Sequence, residues 1–151
     1  MINNQKEFDI LLQKALEKVI IELCDKTLKC LRQHIMDDVY NADSEPNTWY
    51  VPTFEFLDSF KFEGMKSGSK EVSNNLIYDW ASMSLGDWIH GNQDGSIDRR
   101  ESLASILNVS GKNGDYDFRG KERNMFWDNA LKEINQNFNK WTKDACNKYL
   151  K

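Results

Sequence analysis

No glycine or proline precedes Pro46, and within that stretch Phe8, Leu11, Leu12, Ala15, Leu16, Val19, Ile20, Leu23, Thr27, Leu28, Leu31 and Ile35 recur three or four residues apart. That spacing draws one apolar stripe along a helix from about residue 5 to residue 39, with Asn3 or Asn4 placed to cap it. At 1.5 Å per residue the helix would run roughly 50 Å. A helix of that length has to cover its stripe over its whole course, and a chain of 151 residues has little other mass with which to do so. Two outcomes are open: a break near residues 25–29 that folds the stripe inside the domain, or neighbouring subunits that cover part of it.

The period changes further on. Residues 41–52 hold Pro46, Asn47 and Pro52 and read as a connecting loop. Phe54, Phe56, Phe60 and Phe62 then fall on even positions, and after Gly64 and Gly68 so do Val72, Leu76, Tyr78 and Trp80. The alternation is that of strands with one buried face, which predicts a long antiparallel hairpin over about residues 53–83. Glycines punctuate a loop-rich segment at 84–120 that leaves room for one short helix near residues 99–107. Phe126, Ala130, Ile134, Phe138, Trp141, Ala145 and Tyr149 predict a last helix over about 124–150. The expected architecture is a single α+β domain, residues 1–151, with a central antiparallel sheet between two long helices.

Composition narrows the functional classes. Hydrophobic residues make up 40% of the chain and aromatic residues 12%, enough for an ordered core that hides roughly 70% of the unfolded surface. A net charge of −4 argues against nucleic-acid recognition and anionic membranes. Lys112, Arg119, Lys121 and Arg123 cluster, but Asp115, Asp117 and Glu122 among them cancel most of the charge. No signal peptide or membrane span is expected, so the chain is read as soluble and made in the cytoplasm. Cys24, Cys30 and Cys146 are then expected to be reduced thiols packed as small hydrophobes.

The sharpest local pattern runs from His90 through Asn92, Asp94, Gly95, Ser96 and Asp98 to Glu101, and is similar to a calcium-binding EF-hand loop. His90 stands where a hard cation wants a carboxylate, Gly86 interrupts the entering segment, and no second such loop follows. A polar turn leading into a helix is the favoured reading, with a calcium-binding interaction module as the alternative. Cys30 and His34 share a helix face and permit a metal site, but two ligands alone favour a packed thiol beside a surface histidine. Asn108-Val109-Ser110 matches a glycosylation acceptor without consequence in an unsecreted chain. His90 with Asp87 or Asp94 is the only candidate for a small enzyme or effector, and no nucleophile accompanies it. Phosphate-binding, nucleophile-elbow, zinc-protease and dinucleotide signatures are absent. The sequence thus assigns no catalytic, cofactor or metal-ligand set, and a non-enzymatic chain is expected. Five tryptophans and five tyrosines fit a protein that meets other proteins.

Taken in order, these elements resemble the neck or tail-completion proteins that join head to tail in tailed bacteriophages. The likeness covers most of the chain. It rests on the long first helix, and on Thr53, Leu57 and Ser59 within the run Tyr50-Val51-Pro52-Thr53-Phe54-Glu55-Phe56-Leu57-Asp58-Ser59-Phe60 leading into a strand. It rests also on Trp88-Ile89-His90-Gly91, on a short helix closing at Gly111, and on the aromatic run Met125-Phe126-Trp127 that opens the last helix. The chain departs from the family in having no glycine ahead of Leu57, Ile89-His90-Gly91 where a glutamate-aromatic-glycine run is usual, and no proline before Phe126. The resemblance implies a virion structural protein, assembled in the bacterial host, that forms a homo-oligomeric ring and contacts connector and tail proteins.

Overall fold

The computed structural model describes residues 4–40, 54–68, 71–84, 100–101, 103–108 and 125–150. Helix α1 spans Gln5–Ile35 without a break, and the chain then widens into a π-helical turn at Met36–Tyr40. The break considered near residues 25–29 is not there. Asn4 starts the helix: its backbone is extended and its side chain accepts from the Glu7 N–H at 2.9 Å. Helix α4 spans Phe126–Tyr149 and lies antiparallel along α1. Its first turns meet the end of α1, where Leu31 and Ile35 pack with Phe126 and Ala130. Its last turns meet the middle of α1, where Val19 and Leu23 pack with Ala145. Alanine at 130 and 145 lets the two backbones approach closely where they cross these residues.

Between the long helices in sequence come a one-turn helix α2 (Glu55–Asp58), strand β1 (Phe60–Ser67), strand β2 (Val72–Tyr78), a 3-10 turn (Trp80–Ser82) and the short helix α3 (Leu103–Asn108). The strands form a two-stranded antiparallel hairpin with Phe60 opposite Tyr78 and Phe62 opposite Leu76. The register slips between Glu63 and Lys66. Gly64 sits there at φ 76°, so Gly64 and Met65 together oppose one residue of β2, a bulge that a glycine in the left-handed region makes possible.

The hairpin is shorter than its aromatic alternation suggested. Residues 54–59 form a helical turn, entered through Phe54 at φ 58°. Phe56 and Phe60 lie four apart, a spacing that satisfies a strand face and a helix face alike, so the pattern could not separate them. The turn is fixed by its own bonds: Ser59, fully buried, donates its hydroxyl to the Phe56 carbonyl at 2.6 Å, and its own carbonyl accepts from the Asp79 N–H at 2.8 Å. Ser84 donates its N–H and hydroxyl to the Glu55 carboxylate, which ties the chain after the 3-10 turn back onto α2.

The main core sits at one end of the helix pair. Phe56 meets Phe60 edge-on at 5.3 Å and Phe126 edge-on at 5.6 Å, and Phe60 stacks on Tyr78 at 5.0 Å and on Trp127 at 6.2 Å. Helix α4 has no side-chain cap of its own; the Asn108 side chain at the end of α3 accepts from the Trp127 N–H at 2.9 Å and reaches Asp128 at 3.3 Å. That bond fills the role an N-cap residue ordinarily plays. It also engages the side-chain amide that a glycan would need.

At the far end of α4 the Glu22 carboxylate pairs with Lys26 at 2.8 Å and Lys148 at 2.9 Å, and these bonds, Lys26 first, hold it down from an ordinary 4.5 to about 2. A depressed carboxylate contributes stability that is complete above its unfolded value and disappears as pH falls through its folded one. The excess urea resistance of the native chain over Glu22→Gln is therefore expected to be constant above about pH 5, and to fade between pH 4.5 and about 2. The gain is small, as for other surface pairs, and added salt should shrink it. An excess that persists unchanged at the acid end would assign it to packing instead.

Candidate functional site

Helix α1 outruns its partner. Because Ala145, one turn before the end of α4, packs on Val19, the first turns of α1, where every residue from Asn4 to Leu12 is exposed, extend past α4. Phe8, Leu11 and Leu12 occupy i, i+3 and i+4 positions there, and Phe8 and Leu12 lie eleven and seven residues before Val19, so they continue the stripe that α4 covers further on. Leu11 is 53% exposed and Phe8 46%. Among the described residues this stretch is touched on its other side by the hairpin tip, where Ser67 accepts from Gln13 at 2.7 Å and donates to Glu17 at 2.5 Å. Helix α4 carries a second uncovered strip: Leu131 and Phe138, seven residues apart, are both exposed.

Where α1 and α4 cross, a polar cluster interrupts the apolar seam. Cys30 and His34 from α1 and Glu133 from α4 bring a sulfur, a ring nitrogen and a carboxylate oxygen within 4.8 Å of one another. His34 Nε2 lies 3.0 Å from a Glu133 oxygen, and His34 Nδ1 lies 3.2 Å from Asp38 Oδ2. The same Asp38 oxygen accepts from Asn129 Nδ2 at 3.1 Å. Cys30 is buried, and that burial, with the Glu133 carboxylate beside it, pushes the thiol up to about 11. Chemically the arrangement can serve as a bridge of charged hydrogen bonds between helices or as a ligand set for a metal ion. In the metal-free cluster the thiol stays protonated at neutral pH.

The sequence had paired Cys30 with His34, and the structure adds Glu133, Asp38 and Asn129 to them. Asp38 lies one helical turn beyond His34, a spacing visible in the sequence; Glu133 and Asn129 come from the register of two helices about a hundred residues apart, for which one sequence carries no signal. Cys30 is buried as expected of a packed thiol, whereas Cys24 and Cys146 are half-buried, and all three are free. The calcium-like loop lies outside the described residues from His90 to Asp98; its last position, Glu101, is exposed. Asp87 and the basic cluster at residues 112–123 lie outside them as well. Arg100, the position before Glu101 in that run, donates to the Met83 carbonyl and stands 5.5 Å over the Trp80 ring, so it braces the fold. Among the described residues no helix is long and apolar enough to cross a membrane. The chain matches no protein-family model, no curated protein and no solved structure.

Proposed function

We propose that the chain is a non-enzymatic structural protein of a phage virion, of the neck or tail-completion kind, which works by closing a ring and joining connector and tail proteins. The observation that carries the reading is the uncovered stripe of α1, apolar surface that extends past the helix which covers the rest of it. The order of elements supports it too: a long helix, a hairpin, a short helix and a long terminal helix are what the family resemblance implies.

The two exposed strips differ, one on the projecting end of α1 and one on the flank of α4 beside its seam with α1. Docking of unlike surfaces is heterologous, and such contacts close into rings when the rotation between copies allows. In this reading the projecting end of each α1 lies on the Leu131 and Phe138 strip of the next copy. Sedimentation of the purified chain, alone and with connector and tail components, tests this. A discrete closed oligomer or a complex with those components is the expected result; a chain that stays monomeric at high concentration and joins neither would defeat the proposal.

A further inference from the structure

We propose that Cys30, His34 and Glu133 bind a divalent transition-metal ion, zinc by the chemistry of the donors, which staples α1 to α4. A thiolate, an imidazole and a carboxylate are the donors zinc takes, whereas calcium and magnesium want oxygen alone. A four-coordinate zinc with bonds of about 2.0–2.3 Å needs its ligand atoms roughly 3.3–3.8 Å apart. The three atoms already stand within 4.8 Å of each other, two of them on one α1 face that the helix holds fixed. Glu133 supplies the adjustment, because its side chain is 52% exposed and free to turn inward. The same exposure leaves the fourth position to water.

The surroundings suit a ligand histidine. Asp38 lies on Nδ1 at 3.2 Å, so a proton held on that nitrogen would free Nε2 to ligate an ion in place of the contact it makes with Glu133 at 3.0 Å. Asn129 holds that same Asp38 oxygen in place from α4. A carboxylate that orients the far nitrogen of a ligating histidine, itself fixed by a further hydrogen bond, is the usual support of a zinc site. Binding would release the Cys30 proton to solvent, after which thiolate and carboxylate would balance the dication, and the ion would bridge helices whose ligands lie far apart in sequence. The site is independent of the assembly reading and would be present in a monomer or a ring.

The test is titration of the chelator-stripped full-length chain with cobalt(II), followed by displacement with zinc(II). One cobalt per chain is expected, with a thiolate-to-cobalt band in the near ultraviolet and the strong visible bands of four-coordinate cobalt. Cys30→Ser should lose the thiolate band, and Asp38→Asn should weaken binding about 10–100-fold. Glu133→Gln, at a half-exposed position whose helix content circular dichroism can verify, should weaken binding at least about tenfold and abolish the rise in melting temperature that zinc gives the native chain. No uptake, uptake without the thiolate band, or affinity unchanged in both Cys30→Ser and Glu133→Gln would overturn the proposal.

Discussion

Phe126→Ala is expected to lower the stability of the chain by about 3–5 kcal/mol, the range for emptying a buried aromatic site. Phe126 is 0% exposed and opens α4 at the point where that helix meets α2, the hairpin and the end of α1. Its ring stands edge-on to Phe56 at 5.6 Å and to Phe60 at 6.4 Å. Removing it takes away both contacts and leaves a void that its neighbours cannot readily fill, because Phe56 is itself held by Phe60 at 5.3 Å and by Tyr78 at 5.9 Å. For a chain of this size each kcal/mol moves the melting temperature by roughly 2–4 °C, so a fall on the order of 10 °C should appear in a thermal melt. The urea midpoint should fall with the slope unchanged. Phe138→Ala is the control: the same chemistry at a position 43% exposed should cost no more than about 0.5–1 kcal/mol at a concentration where the chain is monomeric. Equal losses at the two sites would mean that the core is not where Phe56, Phe60 and Phe126 place it.

The parts of this fold that were legible in the sequence are those with a long, single-period pattern. The stripe from Phe8 to Ile35 has one period throughout, and α1 follows it without interruption. The stripe from Phe126 to Tyr149 gave α4 within two residues at its start and one at its end. Short elements were harder. Phe54 to Phe60 reads as a strand because its aromatics alternate, yet Phe56 and Phe60 are also one helical turn apart, and the buried hydroxyl of Ser59 decides for the turn. Trp80 likewise continues the alternation of β2 but begins a 3-10 turn. The polar cluster divides along the same line. Cys30, His34 and Asp38 repeat every four residues and could be placed on one face from sequence alone. Glu133 and Asn129 join them only through the register in which α4 packs on α1, with Ala130 and Ala145 buried in that seam. Length left two outcomes open, a broken helix or an exposed stripe; which of them holds, and which end of α1 projects, depends on the unbroken helix and on where α4 stops.

In the ring proposed above, Glu substitutions on the two exposed strips are expected to abolish closure singly and to restore one contact when mixed. Leu11→Glu puts a charge on the projecting end of α1, and Phe138→Glu puts one on the flank of α4, at positions 53% and 43% exposed. Neither should unfold the chain, since glutamate is a good helix former and surface changes generally stay within about 0.5 kcal/mol. Each removes an apolar side chain whose burial would be worth roughly 1.5–3 kcal/mol per contact, and each forces a carboxylate into the seam. A loss of that size weakens one contact about tenfold to a hundredfold, and in a ring the loss recurs at every junction. The mixture carries the sharper consequence. A Leu11→Glu copy keeps an intact α4 strip, and a Phe138→Glu copy keeps an intact α1 end, so together they can form one native contact and no second. Heterologous docking therefore requires that the two monomeric variants combine into a one-to-one dimer that grows no further, read as a single new species by sedimentation or light scattering. If like surfaces met instead, α1 on α1, the Phe138→Glu variant alone would still pair and mixing would add nothing.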